Sequence, residues 1–108
     1  MSTSLTWREV TIPDSSPSVT VARLREEPDG AFWALVRFPA GWSRPVVGHY
    51  LSDEEFWLLE GELTMSGVTY VPQQGDHIPA GRPRADSRSP KGALALARFA
   101  GPATWVRW

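Results

Sequence analysis

The stretch HYLSDEEFWLLEGEL, His49 to Leu63, admits two folds. Read as a helix, Ser52 followed by Glu55 makes a capping box, Asp53 and Glu54 suit the first turn, and Gly61 ends it. Phe56, Leu59, Glu60 and Leu63 then share one face, and Glu60 spoils that stripe. Read as a strand, Phe56 and Leu58 face one side while Trp57 and Leu59 face the other, as in a strand covered on both faces. LLEGEL then passes through a tight glycine turn into a further strand. Short apolar runs are ambiguous by period alone, so the local pattern favours the strand without excluding the helix.

The surroundings push the same way. Ten prolines and nine glycines are scattered along 108 residues, which leaves little room for long helices. Between them lie short apolar or alternating runs: LTWREVTI, SVTVARLR, AFWALVRF, ALALARFA and TWVRW. Breakers such as Asp29-Gly30, Pro39-Ala40-Gly41 and Pro79-Ala80-Gly81 separate them at a spacing that suits an all-β sandwich or small barrel. The length allows one domain over residues 1–108, with a modest core. Hydrophobic residues make up 42% and charged residues 21%, so the composition is that of a folded globule.

Several function classes fall away early. A formal net charge of -1 removes the simple electrostatic case for nucleic acid. No apolar run approaches the roughly 20 residues that a membrane helix needs. The start, MSTSLTWREV, lacks the apolar core of a signal peptide, so a soluble cytoplasmic protein is the expectation. There are no cysteines, which leaves histidine and carboxylate as the plausible metal ligands. His49, Ser52 and Asp53 are close in sequence, but a hydrolase triad needs a spatial geometry that so local a run does not supply.

EEFWLLEGEL followed by VPQQGDHIPAGRPR resembles the paired motifs of the cupins. The upstream RLREEPDGAFWALVRFPAGW is further similar to the small cupin domain of ChrR-type anti-sigma factors and their stand-alone relatives. The resemblance covers roughly residues 18 to 100, with the first motif at about 44–63 and the second at about 75–88. It implies an all-β fold, a single-domain antiparallel cupin barrel or jelly roll, and it decides the opening stretch for the strand. The dimers common in the family imply a homodimer, and the six tryptophans agree. Trp7, Trp105 and Trp108 lie near the termini, where packing on a partner subunit is the expected use.

The departures from the family pattern carry the chemistry. A cupin's first motif has two histidines one residue apart; here His49 falls at the second place and Val47 at the first. The last histidine of the second motif is replaced by Arg84. Of four implied ligands only His49 and Glu54 remain, with His77 a new histidine nearby. Two histidines and a carboxylate are the minimum for non-haem iron and also suit manganese, nickel or zinc. His49, Glu54 and His77 therefore form the alternative, metal-dependent dioxygenase or isomerase reading. Arg84 argues against it, because a guanidinium repels a dication and can offset a buried Glu54 through a bidentate contact. The favoured reading has no metal cofactor. It is a ligand-binding or sensory module for a small organic, including anionic, molecule, with His49, Glu54, Arg84 and the aromatic walls Trp42 and Trp57 as site residues.

Overall fold

The structure, a computed structural model, describes residues 4–108. Its regular elements are twelve strands. In chain order they are β1 (Trp7–Val10), β2 (Val19–Glu26), β3 (Phe32–Phe38), β4 (Trp42–Arg44), β5 (Gly48–Tyr50) and β6 (Glu54–Gly61). They continue with β7 (Leu63–Met65), β8 (Val68–Tyr70), β9 (Gly75–Ile78), β10 (Ser87–Ser89), β11 (Ala93–Phe99) and β12 (Trp105–Arg107). No helix of the described residues is long and apolar enough to cross a membrane.

The opening stretch is a strand. The residues that would cap a helix tie loops together instead: Ser52 Oγ donates to the Pro102 carbonyl at 3.0 Å. Asp53 Oδ1 accepts the Ala80 backbone N–H at 2.7 Å. β6 then pairs with β11 on one side and β9 on the other. The six-stranded sheet runs β1-β2-β3-β11-β6-β9, a four-stranded sheet runs β4-β10-β7-β8, and β5 pairs with β12. All these pairings are antiparallel.

The core lies between the sheets. Phe32, Phe56, Leu58 and Phe99 of the larger sheet meet Trp42, Leu63, Met65 and Tyr70 of the smaller one. Opposite Leu94 and Ala95 the β6 register slips, so that Glu60 pairs with Leu94 and Leu58 with Ala95, leaving Leu59 as the extra residue of a bulge. Phe56 and Leu58 point inward by ordinary alternation, and the bulge leaves Leu59 and Glu60 both exposed before the chain turns at Gly61. Gly61 has φ +78°, and a Cβ there would stand 2.1 Å from the Gly92 carbonyl oxygen. Only glycine accepts both conditions.

Along β11, Ala93, Ala95 and Ala97 are buried while Leu94 and Leu96 are only half-buried. Three small side chains thus face the barrel interior, and two of them, Ala95 and Ala97, line a cavity.

Candidate ligand cavity

The interior cavity has a volume of about 80 Å³ and is lined from both sheets and from β5. Its polar wall is built by Arg44, Tyr50, Glu54 and Arg84. Glu54 opens β6, where register sets it between Phe99 of β11 and Ile78 of β9. Arg84 is held opposite Gly48 by two backbone hydrogen bonds, Arg84 N–H to the Gly48 carbonyl at 2.8 Å and Gly48 N–H to the Arg84 carbonyl at 3.3 Å. Its Nη1 donates to Glu54 Oε1 at 2.5 Å. The contact is single-ended, where the sequence suggested a two-pronged one. Both partners are buried, at 6% and 8% exposure, so the charges have little water to share their solvation with.

Arg44 was not singled out from the sequence. It ends β4 opposite Ser87, is 5% exposed, and donates through Nη2 to the Tyr50 hydroxyl at 2.9 Å. Its guanidinium carbon lies 3.9 Å from the Trp105 ring centroid and 5.3 Å from that of Tyr50. The Arg84 guanidinium approaches Tyr50 as well, at 4.7 Å. Tyr50 is therefore flanked by two cations, which its ring face and those of its neighbours partly compensate. Trp105 reaches this place because β5 carries Gly48: a Cβ there would lie 2.4 Å from the Trp105 ring. The Trp105 indole N–H donates to Asp14 Oδ2 at 3.0 Å, and Arg107 binds the same carboxylate at 2.6 Å. That Arg107 contact, with the indole, holds the Asp14 carboxyl below its usual range.

The wall is electrostatically uneven. Two guanidinium groups face one carboxylate, and among the described residues no ion pair involves Arg44. Nε of Arg44 and Nε of Arg84 are both buried without a hydrogen-bond acceptor. Leaving a buried donor unpaired costs about 1–3 kcal/mol, and more when it is charged.

The expected site residues divide into two groups. Glu54, Arg84 and Trp42 line the cavity together. His49 does not line it: it alternates with Gly48 and Tyr50, and its ring packs edge-on against Trp108 at 5.8 Å. The inward place belongs to Tyr50, one residue further on. Trp57, expected as a pocket wall, lies instead on the outer face of β6, stacked on Trp33 at 6.0 Å and 38% exposed. It alternates with the buried Phe56 and Leu58, and strand parity sends it outward. His77 stands opposite Glu55, the outward neighbour of Glu54. It is an exposed residue whose Nε2 lies 3.6 Å from Asp53 Oδ2.

Those positions test the metal that the resemblance implies. Among the described residues no three His, Asp or Glu side chains converge as a metal-binding group. The cavity's carboxylate is held by a guanidinium and neither histidine lines it, so the residues present do not fit a divalent cation.

The fold is a cupin-type antiparallel β-barrel, and similar solved structures carry it across nearly the whole chain. The RmlC-like cupin protein of Ralstonia eutropha JMP134 superposes with a TM-score of 0.73 at 14% identity, over 96% of this chain and 74% of that one. An acetylacetone dioxygenase from Acinetobacter johnsonii gives 0.75 at 16% identity, over 94% and 79%. The Rhodobacter sphaeroides complex of SigE with the anti-sigma ChrR gives 0.71 at 15% identity, over 88% of this chain and 49% of that one. No family model matches the chain, and no curated protein matches it.

Proposed function

We propose that this protein is a small-molecule-binding or sensory module in which an internal ion pair has replaced the metal of the cupin site. One observation carries the reading: the buried Arg84 guanidinium contacts Glu54 at 2.5 Å inside the cavity. A carboxylate so engaged is a poor metal ligand, and the cation beside it opposes a dication directly. The alternative, a metal-dependent dioxygenase or isomerase using His49, Glu54 and His77, loses support because those three side chains stand apart. The partner we propose besides the ligand is a second copy of this chain, with the cytoplasm as its compartment. Of the terminal tryptophans expected at that contact, Trp7 and Trp108 are exposed and remain available. The outer face around Trp33 and Trp57 extends the surface from Trp7, while Trp105 is engaged within the chain by Arg44, Tyr50 and Asp14.

Elemental analysis of protein purified without a metal-affinity tag tests the site. The expected result is no stoichiometric transition metal, and a gain of metal affinity in Arg84→His, which removes the cation and restores a ligand. One iron, manganese, nickel or zinc per chain, lost on mutating Glu54, would return the enzyme reading to first place.

A further inference from the structure

We infer that the cavity is a receptor for a short-chain monocarboxylate, with Arg44 as the residue that binds its charge. The inference rests on the metal-free reading of the site and adds the chemical class of its ligand.

Charge comes first. Arg44 and Arg84 line the cavity with Glu54, so the wall carries one cation more than it has anions. Glu54 is committed to Arg84. Asp14, which meets the indole edge of Trp105, is committed to Arg107. Arg44 lies near enough to Asp14 for its charge to be felt there, but it makes direct contact only with a phenol and aromatic faces, although it is 5% exposed. A guanidinium brings five N–H donors in a flat fork matched to a carboxylate. Arg44 engages one hydrogen-bond acceptor with them, and its Nε is buried with none. A buried cation without a direct ion-pair partner is costly to a small domain, and an incoming carboxylate lowers that cost.

Size and polarity then narrow the ligand. A cavity of about 80 Å³ is roughly half of the 150 Å³ that admits benzene. Beyond the polar wall it is lined by Phe56, Leu63, Met65, Ala95 and Ala97. A ligand with one carboxylate and a short alkyl body satisfies both ends. A dicarboxylate would press a second charge onto apolar side chains or towards Glu54, and an inorganic oxyanion would leave the apolar end unfilled.

The test uses propionate, its neutral isostere propionamide, and malonate, followed by amide chemical shifts in the intact protein. Propionate is expected to bind saturably and roughly tenfold or more tighter than propionamide, as a charge-assisted hydrogen bond requires. Malonate is expected to bind more weakly than propionate. Arg44→Met keeps the volume and removes the fork, and is expected to lose propionate binding while folding as well as the parent, because an apolar side chain there relieves an unpaired charge. Should Arg44→Met not fold, the propionate–propionamide comparison in the unmodified protein decides alone. Equal affinity for propionate and propionamide, undiminished propionate binding in Arg44→Met, or no saturable propionate binding would each overturn the inference. Any of these in a metal-free protein leaves the metal-free reading standing; a stoichiometric metal overturns that reading itself.

Discussion

The two faces of the β6–β11 pair are built by opposite rules. Inward, β11 offers Ala93, Ala95 and Ala97, and β6 offers Phe56 and Leu58 beside the Glu54–Arg84 pair. Outward, register aligns Trp7, Ala22, Leu35, Leu96 and Trp57 in one row across five strands. Trp33 stacks on Trp57, and the ion pairs Arg37–Glu60 and Arg98–Glu27 edge the patch. A barrel ordinarily keeps its bulk inside. Here Phe56, Leu58 and Phe99 fill much of the inside, yet Ala95 and Ala97 leave room beside the ion pair, while Trp57 and Leu59 stay exposed on the outside. An interior arranged so leaves room for the proposed ligand, and an exterior arranged so suits the proposed second copy. The mixed charges at its edge can pair across a two-fold axis, which favours an identical copy as the occupant.

The inner face should show the largest effect. Arg84→Ala strands Glu54 in the barrel, and urea unfolding should report a loss of about 3–5 kcal/mol, the usual consequence of removing one partner of a buried pair. Removing Glu54 as well should recover part of that loss, since the stranded charge is then gone. A single-mutant loss below about 1 kcal/mol would mean that the pair is hydrated, and the contrast between the faces would fail at its strongest point.

On the outer face the effect belongs to association. Sedimentation equilibrium should find the unmodified protein dimeric at tens of micromolar, as about micromolar affinity from a standard-sized interface requires. Trp57→Glu should weaken the dimer by about 2 kcal/mol or more, as for a central aromatic anchor. Its chain should remain folded, because Trp57 contributes to the outside of the sheet. A parent protein that is monomeric under these conditions would break the reading of this face.

A smaller change returns to the interior. Ala95→Val adds two methyl groups where a cavity already exists, so stability should shift by no more than about 1 kcal/mol, against the 1–3 kcal/mol of overpacking a filled core. Propionate binding should nevertheless fall sharply. A larger destabilisation with unchanged binding would place the open volume elsewhere.

The fold was legible in the sequence, the contrast between the faces only in part, and the gaps have physical causes. The double-sided apolar pattern favoured the β6 strand and the cupin resemblance decided it, while the charge that a buried carboxylate needs pointed to Arg84 as the partner of Glu54. The positions of His49 and Trp57 were not legible, because side chains alternate with a period of two and a slip of one residue exchanges the faces. Tyr50, not His49, faces inward for that reason, although His49 holds the place of the motif's second histidine. Arg44 was the larger omission. In GWSRP nothing local separates a buried arginine from a solvated one; its burial comes from Trp105, which lies 61 residues further along the chain and is admitted by Gly48.

The smallest effect lies at the margin of the inner face, where Tyr70 packs edge-on against Phe56 and its hydroxyl donates to Asp76 at 2.7 Å. Burial first, then the Asp76 bond, pushes the Tyr70 phenol up to about 12. In the unfolded chain it returns to about 10, so its contribution is complete below pH 10 and disappears as pH rises towards about 12. Asp76 works in the opposite window. The Tyr70 hydroxyl is the main cause that lowers its carboxyl below 3.8, so that contribution is present above pH 3.8 and is lost as pH falls below it. Both windows depend on one hydrogen bond, and Asp76 is exposed, so each effect should be modest. Tyr70→Phe should therefore do two things in urea titrations across pH: abolish the alkaline loss assigned to this residue and reduce the acid one. If the acid loss were unchanged in Tyr70→Phe, Asp76 would owe its low pKa to the His77 backbone N–H and the nearby Arg82, and the barrel's inner face would end at Tyr70 rather than continue through it to the surface.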